Sequence, residues 1–307
     1  MEGIIPLWKP RGMTSHDCVF KLRKILRTKK IGHSGTLDPD VDGVLPICVG
    51  RATKVVEYLQ DSNKTYFGEV TLGFSTETED ASGEVVTRTP IEVPFSTEKI
   101  DEAMARFIGE IKQQPPMYSA VKVNGRRLYD YARKGETVER PIRIAQIYDY
   151  KRTSQVEYDA KAQLQKWSFD VECGKGTYVR TLAVDTGKEL GVEAHMSTLT
   201  RTGSGSFTKE DCVTLEEVQQ AMDEDTMDEI FFPLEYGLES FEKLAMSEAE
   251  YAEIKNGLVV PSDYFVQVQD ASQWPILLTY QDQAISIYDL HPTKPGKLKP
   301  VKVFRND

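Results

Sequence analysis

Residues 31–50, IGHSGTLDPDVDGVLPICVG, place three carboxylates, Asp38, Asp40 and Asp42, among four glycines, with His33 inside and Lys29, Lys30, Arg51 and Lys54 close by. Carboxylates beside cations in a glycine-rich segment are suited to nucleophilic or acid–base work, and this is the best active-site candidate in the chain. The spacing Asp38, Asp40, Asp42, Gly43 imitates the start of a calcium loop. Pro39 interrupts it, however, and residues 45–51 offer no glutamate to close a coordination sphere. A phosphate loop fits no better, because GHSGTLD lacks the GK[ST] ending that supplies the phosphate-binding lysine. The four cysteines (18, 48, 173, 212) contain no CxxC pair, and the four histidines (16, 33, 195, 291) contain no ligand-spaced pair. The expectation is reduced structural thiols, no metal and no cofactor.

Several elements have to position this segment. Val19, Leu22, Ile25 and Leu26 recur at helical spacing behind Thr14 and Ser15, which predicts a short amphipathic helix with a basic exterior. Residues 31–50 themselves hold four glycines and two prolines, and read as an irregular loop. Residues 66–74, 84–88 and 142–150 read as strands. Thr97 is placed to cap a helix through Ile108, and Thr177 one through Leu190 that Gly191 closes. After about Phe241 the character changes. Ser247 with Glu250 forms a capping box for a short helix ending at Asn256-Gly257, and strand-like runs follow at 264–268, 276–280, 284–288 and 301–304. The expected organisation is a domain over residues 1–240 and a small β-rich domain over residues 241–307, which suits a chain of 307 residues.

The net charge of −10 disfavours a nucleic-acid partner only if it is evenly spread, and it is not. Residues 1–54 carry ten Lys/Arg against five Asp/Glu, residues 110–143 eight against four, and residues 209–255 three against fifteen. Basic faces can therefore meet a polyanion while the acidic segment lies elsewhere. No window approaches the length of apolar residues that a membrane span needs, and the first ten residues lack the pattern of a signal peptide, so a cytoplasmic protein is expected.

GHSGTLDPDVDGVLPICVGRATK (residues 32–54) closely resembles the signature of bacterial tRNA pseudouridine-55 synthases. Further blocks follow in that family's order: KPRGMTSHDCV (9–19), NKTY (63–66), QQPPMYSAVKVNGRRLYDYARKG (113–135), CGKGTYVRTLAVDTG (173–187) and AHMSTLTRTGSGSF (194–207). The resemblance implies an α/β (α+β) pseudouridine synthase fold, a mixed and largely antiparallel sheet flanked by helices, followed by a small β-barrel-like PUA domain. It implies isomerisation of the T-loop uridine of tRNA, with Asp38 as nucleophile on a flipped-out base, Tyr66 stacking on that base and assisting removal of its proton, and Arg180 pairing with the carboxylate. His33, Lys64, Lys122, Tyr178 and Leu199 then fall at substrate-binding positions, and residues 113–140 form an RNA-contacting insertion. The implied partner is the T-stem and loop of tRNA, bound by a monomer without an obligate protein partner. Asp40 and Asp42 depart from the family pattern and bear on local electrostatics. Two rival readings are a non-catalytic RNA-binding or RNA-folding protein, for which Asp38 is dispensable, and a carboxylate glycosidase acting on small sugars, which has no use for the basic insertion.

Overall fold

The computed structural model describes residues 1–268 and 270–306. Its main sheet runs, in spatial order, β1 (Gly3–Lys9), β2 (Asp42–Val49), β7 (Ala194–Ser204), β3 (Lys64–Leu72), β6 (Leu164–Cys173), β5 (Arg143–Arg152) and β4 (Gly109–Gln113). Neighbours along this path are antiparallel except β2 and β7, which run parallel through Thr200 opposite Asp42 and Arg201 opposite Gly43. The mixed, largely antiparallel sheet is the one the resemblance implies.

Local chemistry accounts for several boundaries. Helix α1 (Ser15–Ile25) starts on a reciprocal capping box between Thr14 and Asp17, which satisfies two of the otherwise orphaned N–H groups. Helix α2 spans Val56–Asp61. Helix α3 (Thr97–Ala105) is capped by Ser96 rather than Thr97, one residue earlier than its sequence suggests. Helix α4 (Leu128–Ala132) lies in the insertion, behind a hairpin that pairs Lys122 and Val123 with Arg127 and Arg126. Helix α5 (Val179–Leu190) ends at Gly191 in the left-handed region, as expected, but Thr177 does not cap it, and Tyr178 occupies the N-cap position without a side-chain bond.

The segment read as an irregular loop is the largest departure. Residues 31–33 form a strand that pairs with β2, and β2 is a buried central strand. Its Pro46 sits opposite Pro6 of β1, so the two residues that lack an N–H fall at the same step of the ladder. Gly43 has φ +123, and a Cβ there would lie 2.1 Å from the Arg201 carbonyl oxygen, so the close parallel approach of β2 and β7 requires glycine. Only residues 34–41 remain irregular, and they carry Asp38.

Helix α6 (Leu215–Asp223) packs with α1 over β1 and β2, while α3 and α5 cover β3, β5 and β6 around Trp167 and Phe169. Beyond it a five-stranded sheet forms in the order β8 (Lys243–Ala245), β10 (Ile276–Tyr280), β11 (Gln283–Leu290), β12 (Lys297–Val303), β9 (Val260–Pro261), flanked by α7 (Glu248–Ile254). Residues 264–268, expected as a strand, form turns and bends in which Phe265 is buried. The second sheet shares a core with the first: Leu277, Ala284, Ile287 and Phe304 pack with Ile4, Val44, Cys48, Val55 and Leu59. Lys54 Nζ donates to the carbonyls of Val303 and Phe304 at 2.9 Å each. Among the described residues, no helix is long and apolar enough to cross a membrane.

Candidate active site

Asp38 lies on the 34–41 loop, and that loop is held from below. The buried ammonium of Lys9 donates to the carbonyls of Pro10, Met13 and Pro39, and Ser15 Oγ accepts from the Leu37 N–H at 3.0 Å. Arg180, in the first turn of α5, meets the Asp38 carboxylate at 3.0 Å. A cation at a helix N-terminus opposes the helix dipole, so Arg180 needs acceptors from elsewhere. Its Nη1 donates to the Thr78 carbonyl and its Nη2 to the Tyr118 carbonyl, each at 3.0 Å, and Asp80 lies 3.9 Å away. Asp80 is itself committed to Thr78 Oγ1 at 2.7 Å and the Ser82 N–H at 2.9 Å, which leaves Asp38 as the carboxylate that projects outward. Burial pushes the Asp38 carboxyl above its ordinary value, and the adjacent Arg180 charge pulls it back.

Asp38, Val41, Arg180 and Leu199 line two cavities in common. One, of about 400 Å³, runs back over Tyr66, Tyr178, Leu199, Lys64 and Arg201. The other, of about 680 Å³, opens toward the insertion through Arg11, Asp80, Tyr118, Tyr129 and Arg133. Tyr66, from β3, is half-buried, and burial raises its phenol, with Arg201 opposing that rise. Burial likewise raises the Tyr178 hydroxyl. Gln113, at the end of β4, clamps the entry to α5, because its Oε1 accepts from the Tyr178 N–H at 2.9 Å and its Nε2 donates to the Tyr178 carbonyl at 3.2 Å. The insertion thus begins where Arg180 is positioned. Its far end is tied in as well: Arg140 donates to the Pro115 carbonyl at 3.0 Å and lies 3.7 Å from Glu79, which accepts from Thr181 Oγ1 at 2.8 Å.

Of the residues singled out in the sequence, Asp38, Tyr66, Arg180, Tyr178 and Leu199 come together around these cavities. Lys64 lines the smaller one, but its ammonium is directed to the carbonyls of Leu59, Gln60 and Ser62 at the end of α2, and burial lowers it to about 8. That geometry gives Lys64 the support of the α2 terminus as its visible work. His33 stands outside the cavity walls, edge-on to His16 with ring centroids 5.8 Å apart, and burial lowers its imidazole. Lys122 is exposed on the insertion hairpin and lines a separate groove with Gln114, Asn124 and Arg140. Asp42 pairs with Arg11 at 2.9 Å and accepts from Thr200 Oγ1 at 2.6 Å, while the Asp40 carbonyl takes a second bond from Arg11. The Asp42 carboxylate and the Asp40 backbone carbonyl thus anchor Arg11 beside the larger cavity. Arg201, Gln113 and Glu79 help build this geometry and are not singled out by sequence reasoning. Their polar side chains lie in or beside apolar strand patterns, and their partners are distant in sequence.

Solved structures share this architecture. The chain is similar to the crystal structure of a Cbf5-Nop10-Gar1 complex, with a TM-score of 0.71 and 29% identity over 98% of this chain and 84% of that one. It is also similar to an H/ACA RNP bound to a substrate RNA containing 2'-deoxyuridine, with a TM-score of 0.70 and 25% identity over 98% of this chain and 84% of that one. The profile of the TruB family pseudouridylate synthase (N terminal domain) matches residues 23–179, and that of the tRNA pseudouridylate synthase B C-terminal domain matches residues 180–239. A tRNA pseudouridine synthase B of Bacillus cytotoxicus is 49% identical over 307 residues, covering 100% of this chain and 98% of the relative. One of Halalkalibacterium halodurans is 48% identical over 309 residues, with 100% of this chain and 99% of the relative covered. The chain belongs to the TruB family of pseudouridylate synthases, and it is an isomerase.

Proposed function

We propose that the protein isomerises the T-loop uridine at position 55 of tRNA to pseudouridine, with Asp38 as the nucleophile. The observation that carries this reading is the Asp38–Arg180 pair at the junction of two cavities, one of them lined by Tyr66, Tyr178 and Leu199. A cavity of about 400 Å³ is within the range of small-molecule sites and suits a nucleoside extruded from its stack. The reaction breaks the C–N glycosidic bond, turns the uracil, joins it to the sugar through C5 and releases the C5 proton. It is redox-neutral, so a carboxylate and a proton acceptor suffice. In this reading Arg180 keeps Asp38 ionised and aimed, Tyr66 stacks on the base, and Tyr178 and Leu199 fill the pocket around it.

The insertion over residues 113–140, with Lys122, Arg126, Arg127, Arg133 and Lys134 among Tyr118, Tyr129 and Tyr131, supplies cations and aromatic faces for the T-stem and loop. His33 takes up space near the flipped bases. The domain over residues 241–307 acts as a PUA-like RNA-binding module through Lys294, Lys297 and Lys299, and the enzyme works as a cytoplasmic monomer. Lys302 and Arg305 have other duties, since they pair with Glu57 and Glu235 at 2.6 Å each.

The test is tritium release from unmodified tRNA labelled at uracil C5, with the product mapped by nucleotide. Release confined to position 55 is the expected result. Release from free nucleosides, or from a different uridine, overturns the substrate assignment.

A further inference from the structure

Arg201 is 1% exposed, and among the described residues no carboxylate forms an ion pair with it. An unpaired buried guanidinium is costly to maintain, so its neighbours should explain why it is there. Its Nε donates to the Val44 carbonyl at 2.7 Å and its Nη2 to the Gly35 carbonyl at 3.2 Å. Nη1 passes so close to Gly35 that a Cβ there would lie 3.3 Å away. The guanidinium therefore grips both the start of the loop that carries Asp38 and the strand that follows it. Arg201 is also the cross-strand partner of Tyr66 in the β3–β7 pairing, which sets the two side chains side by side. It lines the same cavity as Tyr66 and Asp38, and its positive charge bears on the Tyr66 phenol.

We infer that Arg201 is a positioning residue for the isomerisation, holding the Tyr66 phenol and the Asp38 loop in fixed relation across the uridine cavity. The inference rests on the roles given above to Asp38 and Tyr66. Paired with Tyr66 across the strands and anchored to the Val44 and Gly35 carbonyls, the guanidinium is a fixed neighbour that limits where the phenol can sit against the cavity. The nearby positive charge also favours the ionised phenol against the effect of burial. The other titratable groups that bear on this phenol are Cys173 from β6 and Asp38 from the loop.

Two measurements test the inference, both on the full chain. In the first, single-turnover rates and tRNA affinity are measured for Arg201→Lys, Tyr66→Phe and the double variant. We expect Arg201→Lys to slow the chemical step by about tenfold or more with tRNA affinity changed by less than about threefold, and to add much less in the Tyr66→Phe background. In the second, 3-fluorotyrosine at position 66 is titrated by its fluorine resonance in the parent, Arg201→Lys and Arg201→Gln proteins. The midpoint should stay near the parent's in Arg201→Lys, which keeps the charge, and rise in Arg201→Gln, which removes it. A midpoint unchanged in Arg201→Gln, or a rate loss from Arg201→Lys that is equally large with and without Tyr66→Phe, overturns the inference and leaves Arg201 as a brace for β2. If Arg201→Gln does not fold, the lysine variant still decides. Full activity of Tyr66→Phe is a separate outcome: it leaves the stacking role of the ring in place but shows that the hydroxyl is dispensable, and with it the inference falls.

Discussion

The guanidinium of Arg180 is 7% exposed, and the Asp38 carboxylate it meets at 3.0 Å is 41% exposed. The arginine is fixed by two backbone carbonyls, so the aspartate is the partner free to exchange its bond to Arg180 for one with substrate. A carboxylate placed this way is aimed by its partner without being sequestered by it.

Asp38→Asn should abolish tritium release and leave tRNA affinity nearly intact, because the amide keeps the shape and removes the nucleophile. Stability supplies a second reading. A carboxyl whose folded pKa is raised binds its proton better in the folded state, so stability declines as pH rises from the ordinary 3.8 through the raised folded value and stays lower above it. The asparagine variant avoids that loss, and its melting temperature at pH 7 should equal or exceed that of the parent. Residual product above background would show that another group attacks.

Arg180→Lys retains charge but cannot reach the Thr78 and Tyr118 carbonyls and the Asp38 carboxylate together as the forked guanidinium does. We expect a drop in kcat of at least about tenfold, with the dissociation constant for tRNA within about threefold of the parent. Full kcat would mean that the pairing seen with Asp38 does not operate in the reaction.

Gly43→Ala is expected to destabilise the fold by more than about 3 kcal/mol, since the new methyl meets backbone that cannot move without parting β2 from β7. Gly125 also has positive φ but opens to solvent, and alanine there should cost only about 1–2 kcal/mol. Urea denaturation of the two variants measures the contrast. Similar losses would show that β2 and β7 adjust freely.

A chain cut near Ser240 loses Leu277, Ala284, Ile287 and Phe304 from a core that also contains Ile4, Val44 and Leu59. Full burial of a large apolar side chain is worth about 1.5–3 kcal/mol, so the truncated protein should unfold or aggregate. Replacing Lys294, Lys297 and Lys299 by alanine instead should leave the melting temperature alone and weaken tRNA binding, flattening its salt dependence by roughly 0.7–0.9 in log–log slope for each phosphate no longer neutralised. A stable, fully active truncation would show that the second sheet is only loosely attached.

Which residues gather at the candidate site is more legible in the sequence than the scaffold that gathers them. The blocks around Asp38, Tyr66 and Arg180 converge as the resemblance implies, although no local feature distinguishes Arg180 from a solvated helix residue or Tyr66 from an ordinary sheet residue. The β2 segment misleads because glycine and proline read as breakers. Here Pro46 is tolerated opposite Pro6, and Gly43 is demanded by a strand from a distant part of the chain. Strand β6 lies outside the strands predicted above, although Trp167, Phe169, Val171 and Cys173 alternate along it, and that alternation is a usable signal. Arg201 offers none, because its burial depends on Gly35 and Val44, which local sequence does not connect to it.

Strand β7 lies between β2 and β3 in the sheet, yet it is made long after both. During synthesis the chain therefore carries two strands with open edges until residues 194–204 have left the ribosome and inserted between them. Such a late, non-local insertion is slow by its topology, and it fixes Leu199 and Arg201 in place at the same moment. The candidate site thus cannot exist until residue 204 has been made, and a chain stalled or shortened before that point would present sticky strand edges before it could present any activity.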